Sequence, residues 1–457
     1  MKHIHLIGIG GTGISSIARV LVEKGYTVSG SDRTLSQLAL DLKASGVTVY
    51  EGHAAQHVQG ADLIVRSSAI PEDNIEVVAA RELGIPVLKR AEFLGTLMQD
   101  YICIAVAGSH GKTTTSTMMA WTLDQMGMEP GYILGGVSKD LATNAHAGSG
   151  SYFVIEADEY DYMFLGLNPS VILLTNVEYD HPDCYPTVVD YQAAFVSFVK
   201  KLQPAGLLVT NADQDCAASM IKEIPSNTRA LIYGLTPSAD FRAVNLQVNE
   251  CGGMSFDIFA HPTDSPLASV ELQVPGEHNV YNALGVLAVH HALGHSLEQA
   301  SQALSSYTGS GRRFEVIGEV DGITIVDDYA HHPSKIKATL AAARTRYPHR
   351  RIVAVWQPHT YSRTLALQDE FVQSFRDADM LIVTDIYASR EKPQWYSVEN
   401  LVNKITYVPA FHIAANPQVT DYLLQHLVPG DVLIVLSAGD ADQVCRDVMQ
   451  GLKERIG

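Results

Sequence analysis

The chain has 457 residues, 46% of them hydrophobic, which is enough for roughly two to four packed domains. Its 32 Lys+Arg stand against 50 Asp+Glu, a formal net charge of -18. That excludes nucleic acid or an anionic membrane as the main partner, but not a small anionic ligand held by local backbone N–H groups.

The start, MKHIHLIGIGGTG, reads as a strand and a glycine turn rather than a signal peptide. Short apolar runs rich in Val and Ile recur at residues 3–9, 63–65, 102–106, 152–155, 171–175, 323–326, 352–356, 380–384 and 432–436. They read as strands buried on both faces, with helical stretches between several of them. The expected class is α/β with parallel sheets. Glycine-rich or charged motifs follow strands near residues 8, 108 and 311, where open α/β sheets collect ligands. Three such places predict three domains: 1–98, 99–309 and 310–457. Residues 228–275 look different, with alternating apolar positions that suggest a meander. No apolar run approaches about 18 residues, so no membrane insertion is expected. Cys103, Cys184, Cys216, Cys251 and Cys445 are scattered and form no CxxC pair. They read as reduced thiols of a cytoplasmic protein. Nothing in the sequence fixes an oligomeric state.

The first motif, Gly8-Ile9-Gly10-Gly11-Thr12-Gly13, follows a strand and opens a helix predicted over 14–23. Its spacing fits the dinucleotide-type GxGxxG, in which glycines admit a pyrophosphate to a helix N-terminus. Asp32 closes the next strand, where an acidic group usually meets a ribose. The pattern alone fits NAD or any other nucleotide diphosphate, and a packing turn is the bland alternative. Gly10, Gly11, Thr12, Gly13 and Asp32, with Ser67 and Ser68 after the strand at 63–65, form the first candidate site.

The second motif, Gly108-Ser109-His110-Gly111-Lys112-Thr113-Thr114-Thr115, lies between a strand and a helix predicted over 116–126. It is a shortened P-loop, since the full GxxxxGK[ST] form needs glycine where Val106 stands. Its N–H groups and Lys112 suit ATP phosphates, and Thr113 suits Mg²⁺. Replacing Lys112 is expected to cost turnover and to spare folding. Two further strand ends carry acids: Glu156-Ala157-Asp158-Glu159, and Asn176-Val177-Glu178-Tyr179-Asp180-His181. Such acids are natural metal ligands beside a P-loop. His181 is an unusual Mg²⁺ ligand but would suit Mn²⁺.

The ordered set AGSHGKTTT, EADE, TNVEYDH, PGEHNVYNALG, GSGRRFE, DDYAHHP and QPHTYSRT resembles the Mur ligases across nearly the whole chain. The resemblance implies a Rossmann-like domain for a UDP-muramyl substrate, a P-loop ATPase-like central domain and a Rossmann-like C-terminal ligase domain. It also implies an ATP- and Mg²⁺-dependent ligation through an acyl phosphate, in peptidoglycan precursor synthesis. The first motif with DDYAHHP and QPHTYSRT is most similar to the branch that joins L-alanine to UDP-N-acetylmuramate. Carried onto this chain, the ATP side takes Gly108 to Thr114, Asn279, Asn282, Arg313 and Asp328. Thr113, Glu156 and His181 are implied metal ligands. Tyr329, His331 and Arg363 line the amino-acid side, with Arg363 on the alanine carboxylate or a phosphate. For Asn279 an N-capping role is the alternative. Two positions depart from common family patterns. Thr360 stands where alanine-adding relatives often carry Arg, and Phe195 stands near the place of a carbamylated lysine in other members, so no carbamate is expected. Three other readings remain to be separated. They are a ligase that attaches a ready-made tripeptide in wall recycling, an NAD-dependent dehydrogenase, and a non-catalytic ATP-binding regulator.

Overall fold

A computed structural model describes residues 2–263 and 265–456. The chain forms two compact units whose segments alternate along the sequence. One contains Met1–Glu178, Val189–Arg242 and Ala283–Ala303; the other contains Tyr179–Val188, Ala243–Asn282 and Leu304–Gly457.

In the first unit, β1 (His3–Ile7), β2 (Thr27–Asp32), β3 (Thr48–Glu51), β4 (Leu63–Arg66) and β5 (Val87–Lys89) make a parallel sheet in the order β3-β2-β1-β4-β5. The order reverses beside β1, so its carboxyl end is a topological switch point, where ligands of open α/β sheets bind. Helices α1 (Thr12–Glu23), α2 (Gln37–Ala44), α3 (Ile75–Glu82) and α4 (Arg90–Leu97) complete this layer.

A second sheet is built on β6 (Ile102–Ala107), β7 (Gly131–Ile133), β8 (Ala145–His146), β9 (Tyr152–Glu156), β10 (Val171–Leu174), β11 (Leu207–Asn211) and β12 (Arg229–Gly234). Their order is β12-β11-β10-β6-β9-β7-β8. Here β6 lies between β10 and β9, so the loops after all three strands open at one edge. Helix α5 (Lys112–Gln125) leaves β6 directly. The meander expected over 228–275 begins late: Arg229–Gly234 continues the parallel sheet beside β11. Helix α4 packs on the helical turns Tyr160–Gly166 through two glycines. A Cβ on Gly95 would overlap the carbonyl oxygen of Gly166, and one on Gly166 would overlap the carbonyl of Ala91.

The other unit holds most of β13 (Phe241–Val248), then β14 (Met254–Ala260) and β15 (Ala268–Leu272), the last two antiparallel. Along β14 buried and half-buried residues alternate, as a one-faced strand requires. A third sheet orders β16 (Glu315–Val320), β17 (Ile323–Asp328), β18 (Ile352–Trp356), β19 (Met380–Val383), β20 (Ala410–His412) and β21 (Val432–Leu436) as β16-β17-β21-β18-β19-β20. Only β16 is antiparallel to its neighbour. Along β18, Ile352, Ala354 and Trp356 enter one core while Val353 and Val355 enter another. Cores on both faces explain the unbroken apolar runs.

Candidate active site

The first glycine motif lies at the switch point. Gly8 has φ +86°, a left-handed conformation that glycine adopts without a Cβ penalty. The N–H groups of Gly8 and Ile9 both donate to the carbonyl of Ser31, at 2.8 and 3.1 Å. Gly10 N donates to Asp32 Oδ2 at 2.8 Å, and Ser36 Oγ donates to the Gly10 carbonyl at 2.9 Å. The end of β2 therefore holds the turn open, and the Asp32 carboxylate serves the turn itself. Thr12 and Gly13 begin α1 behind Gly11, whose side supplies no cap. Ser67 N donates to the Ile7 carbonyl at 3.0 Å, which sets Ser67 beside Gly8, while Ser68 is exposed.

Sequence reasoning missed the group that anchors this edge. Glu76 of α3 is fully buried and accepts hydrogen bonds from Ser31 Oγ at 2.5 Å, His57 Nδ1 at 2.7 Å and Ala54 N at 3.2 Å. His53 Nδ1 is 3.2 Å away and His5 Nε2 3.7 Å. Burial alone would raise this carboxyl's pKa. The nearby His5 imidazole and the Ser31 and His57 hydrogen bonds instead bring it down to about 2. The four residues lie on separate elements, so no local spacing reveals them.

In the P-loop, Gly108 has φ +135°, and a Cβ there would overlap Thr175 Oγ1. Gly111 has φ +82° and caps α5, which starts at Lys112 rather than near 116. His110 N donates to Asn176 Oδ1 at 2.9 Å, and Ser109 Oγ donates to the Glu178 carbonyl at 2.5 Å. The loop is thereby tied to the strand end after β10. Thr113 Oγ1 donates to Glu156 Oε1 at 3.2 Å, and Gly135 N donates to Glu156 Oε2 at 2.9 Å. A hydroxyl and a carboxylate so close form a hard-oxygen donor pair that fits Mg²⁺. Thr114 is half-buried in the first turn of the helix.

Lys112 Nζ donates to the Gly108 carbonyl at 2.6 Å and lies 2.7 Å from Glu159 Oε2. Burial would lower the ammonium pKa, but Glu159, Asp158 and Glu156 outweigh it and raise it. Glu159 has no exposed side-chain surface; burial pushes its carboxyl up to about 7 against the pull of Lys112. The expectation that Lys112 can be replaced without cost to folding is therefore corrected, because its loss leaves a buried acid without its cation. Glu159 was visible in EADE, three residues after Glu156, but nothing marked it as the lysine's partner. Phe195 is buried against Phe164 and Tyr191.

The second unit gathers the remaining candidates. Arg363 donates through Nε to Asp180 Oδ1 at 2.8 Å, and its Nη2 is equally close; both side chains are almost fully buried. Burial would raise the Asp180 pKa, but Arg363 above all, then His181, hold it well below the usual carboxylate range. His181 follows with φ +58° and its Nδ1 3.5 Å from Arg363 Nη2. His359 Nδ1 is 3.1 Å from Arg363 Nη1, and its ring centroid is 5.6 Å from that of His331. Burial and neighbouring cations lower both imidazoles, His331 well below its usual value and His359 to about 4. At neutral pH both are uncharged, and His359 Nδ1 accepts from the permanent cation of Arg363. Thr360 has φ +66°.

Asp328 accepts Phe314 N at 2.7 Å and Ala330 N at 2.8 Å. Its two oxygens thus hold the loop that presents Arg313, whose guanidinium lies 4.8 Å from the ring centre of Tyr329. His331 Nδ1 is 2.8 Å from the Tyr329 carbonyl. The helix Glu277–Ala292 starts two residues before Asn279. Asn279 is therefore no cap; its Nδ2 donates to the Pro275 carbonyl at 2.7 Å, and Asn282 Nδ2 donates to Asn279 Oδ1 at 3.1 Å. Of the expected metal ligands, Thr113 and Glu156 meet in one unit, and His181 belongs to the other.

Three family models match in sequence along the chain. Residues 3–102 match the Mur ligase family catalytic domain, 106–290 the Mur ligase middle domain, and 312–439 the Mur ligase glutamate ligase domain. The chain belongs to the Mur ligase family. As a Mur ligase it is an ATP-dependent ligase, which removes the dehydrogenase and regulator readings. A UDP-N-acetylmuramate–L-alanine ligase of a Geobacter species is 41% identical, with 99% of this chain and 98% of that protein aligned. The crystal structure of UDP-N-acetylmuramate–alanine ligase from Thermotoga maritima superposes with a TM-score of 0.82 at 25% identity, covering 100% of both chains. A murein peptide ligase from Psychrobacter arcticus reaches 0.71 at 28% identity, covering 99% of both chains. Among the described residues no helix of this Mur ligase is long and apolar enough to cross a membrane.

Proposed function

We propose that this Mur ligase joins L-alanine to the carboxylate of UDP-N-acetylmuramate, with ATP converted to ADP and phosphate. The observation that carries the reading is the 41% identity, over nearly the full length, to a relative named for that reaction. The assigned domains are 1–98 for the UDP-substrate, 99–309 for ATP and 310–457 for the ligase domain, in the cytoplasm of the cell.

The chemistry must turn a poor electrophile into a good one. Carboxylate oxygen attacks the γ-phosphorus, ADP leaves, and an acyl phosphate forms; the alanine amine then attacks the acyl carbon and phosphate departs. Anion meets anion in the first step, so cations supply most of the stabilisation. Lys112, kept charged by Glu159, neutralises the β- and γ-phosphates. The α5 N-terminus and the loop N–H groups cradle them. Thr113 and Glu156 would hold Mg²⁺, with His181 as a further metal ligand, and a bound ion would supply positive charge against the phosphate oxygens. Asn279, Asn282, Arg313 and Asp328 serve the nucleotide side. Arg363, fixed by Asp180, is the cation assigned to the alanine carboxylate, with Tyr329 and His331 on the same side.

The test is ADP release with UDP-N-acetylmuramate and each amino acid in turn, with the wall tripeptide as a further arm. L-Alanine should give the highest kcat/KM. Preference for the tripeptide would replace this reading with a recycling ligase, and no substrate-dependent ADP release would end both.

A further inference from the structure

We propose that Arg90 is a binding residue for the diphosphate of the nucleotide-sugar substrate. The inference rests on assigning that substrate to the glycine turn.

Arg90 is the first residue of α4, immediately after β5. Its guanidinium covers Gly13, the last glycine of the motif. A Cβ on Gly13 would overlap Arg90 Nη1 and stand 3.0 Å from its Cζ. The third glycine of the fingerprint thus makes room for an arginine as well as for a ligand. The first turn of α1 carries no acidic residue, and no side chain caps it. A permanent cation therefore lies against the first turn of a 12-residue helix, an unfavourable pairing that an anion reaching both would reverse.

The protein offers Arg90 little compensation. Its nearest ion-pair partner is Asp158, with Nη2 to Oδ2 at 4.0 Å, the outer limit of such a contact. Arg90 Nε is buried and has no hydrogen-bond partner among the described residues. A buried donor left unpaired costs stability. Yet the side chain keeps 22% of its surface exposed, so a ligand can reach it. A planar guanidinium donates two parallel hydrogen bonds to a phosphate, a geometry that Lys cannot copy. A diphosphate carries enough oxygens to meet the turn, the helix end and the arginine together.

The test compares UDP with uridine, which lacks the phosphates, by calorimetric titration of the full chain and of Arg90→Gln. UDP should bind the variant at least about tenfold more weakly, and uridine within about twofold of the parent. In steady state the KM for UDP-N-acetylmuramate should rise, with the KM for ATP unchanged, and Arg90→Lys should recover part of the loss. Asp158→Asn should leave UDP binding no weaker. Equal losses for UDP and uridine, or none for UDP, would overturn the assignment of Arg90 alone. A parent chain that binds no UDP would overturn it together with the glycine-turn assignment. Should Arg90→Gln not fold, Gly13→Ala displaces the same guanidinium and must give the same selective loss.

Discussion

Replacing Glu76 with Gln should destabilise the first sheet by an amount that depends on pH. The carboxyl titrates at 4.5 when free and at about 2 in the fold. At ~1.36 kcal/mol per pH unit, that difference is worth about 3 kcal/mol to the folded state at neutral pH. The pKa is lower in the folded state, so the contribution is complete above 4.5 and is lost as pH falls from there towards 2. At pH ~3 less than half of it should remain. A protein of several domains seldom unfolds in one step, so the suitable measurement is local. Hydrogen exchange at the β1 and β2 amides, followed in parent and Glu76→Gln from neutral pH to about pH 3, reports their opening free energy. The gap between the two proteins should narrow by roughly 2 kcal/mol over that range. A gap that stays constant with pH would mean that Glu76 holds Ser31 and His57 by shape alone, and the electrostatic argument would fail.

Lys112→Ala should lower turnover by about 10³ or more, measured as ADP release. It should also lower the thermal midpoint, because Glu159 stays buried without its partner; a variant within about tenfold of parental turnover would remove the P-loop assignment. His181→Ala should raise the divalent-metal concentration needed for half-maximal rate more than it raises the KM for ATP, with Mn²⁺ supporting at least part of the parental activity; superimposable metal titrations would argue against a ligand role. Gly10→Val places its side chain where a Cβ alone would come within 2.9 Å of Asp32 Oδ2 and Ser36 Oγ. It should weaken UDP-N-acetylmuramate binding far more than ATP binding, and the reverse pattern would exchange the two nucleotide sites.

Many of the parallel strands were legible because burial on two faces leaves unbroken apolar runs, as in Ile352–Trp356 and Val432–Leu436, whereas β3, β5, β11 and β20 were not read as strands. The start of α5 was not. Lys112 to Thr117 is rich in Thr, a poor helix former in isolation. In the fold Ser116 and Thr117 bond back to the Thr113 carbonyl at 3.1 and 2.7 Å, which satisfies their hydroxyls within the helix. Arg229–Gly234 was read as part of a meander because its mixed polarity hides a parallel strand paired beside β11. In the site, residues inside motifs could be named, whereas their partners could not. Glu159 for Lys112, Asp180 for Arg363 and Glu76 for Ser31 are joined by tertiary contacts over 45 or more positions, and no periodicity records such pairs.

The interlocked glycines of α4 bear on any attempt to study the pieces separately. Gly95 and Gly166 each give up a side chain so that two backbones can touch, and neither can acquire one unless the other surface retreats. A chain cut after residue 98 would keep α4 but lose the turns it lies against. The exposed strip would include Gly95 and the Ala91 backbone and methyl group that now lie against Gly166. Such a fragment would tend to find a substitute surface in another copy of itself. Its nucleotide affinity would then report on self-association as much as on the pocket, and a cut beyond Gly166 would avoid that confusion.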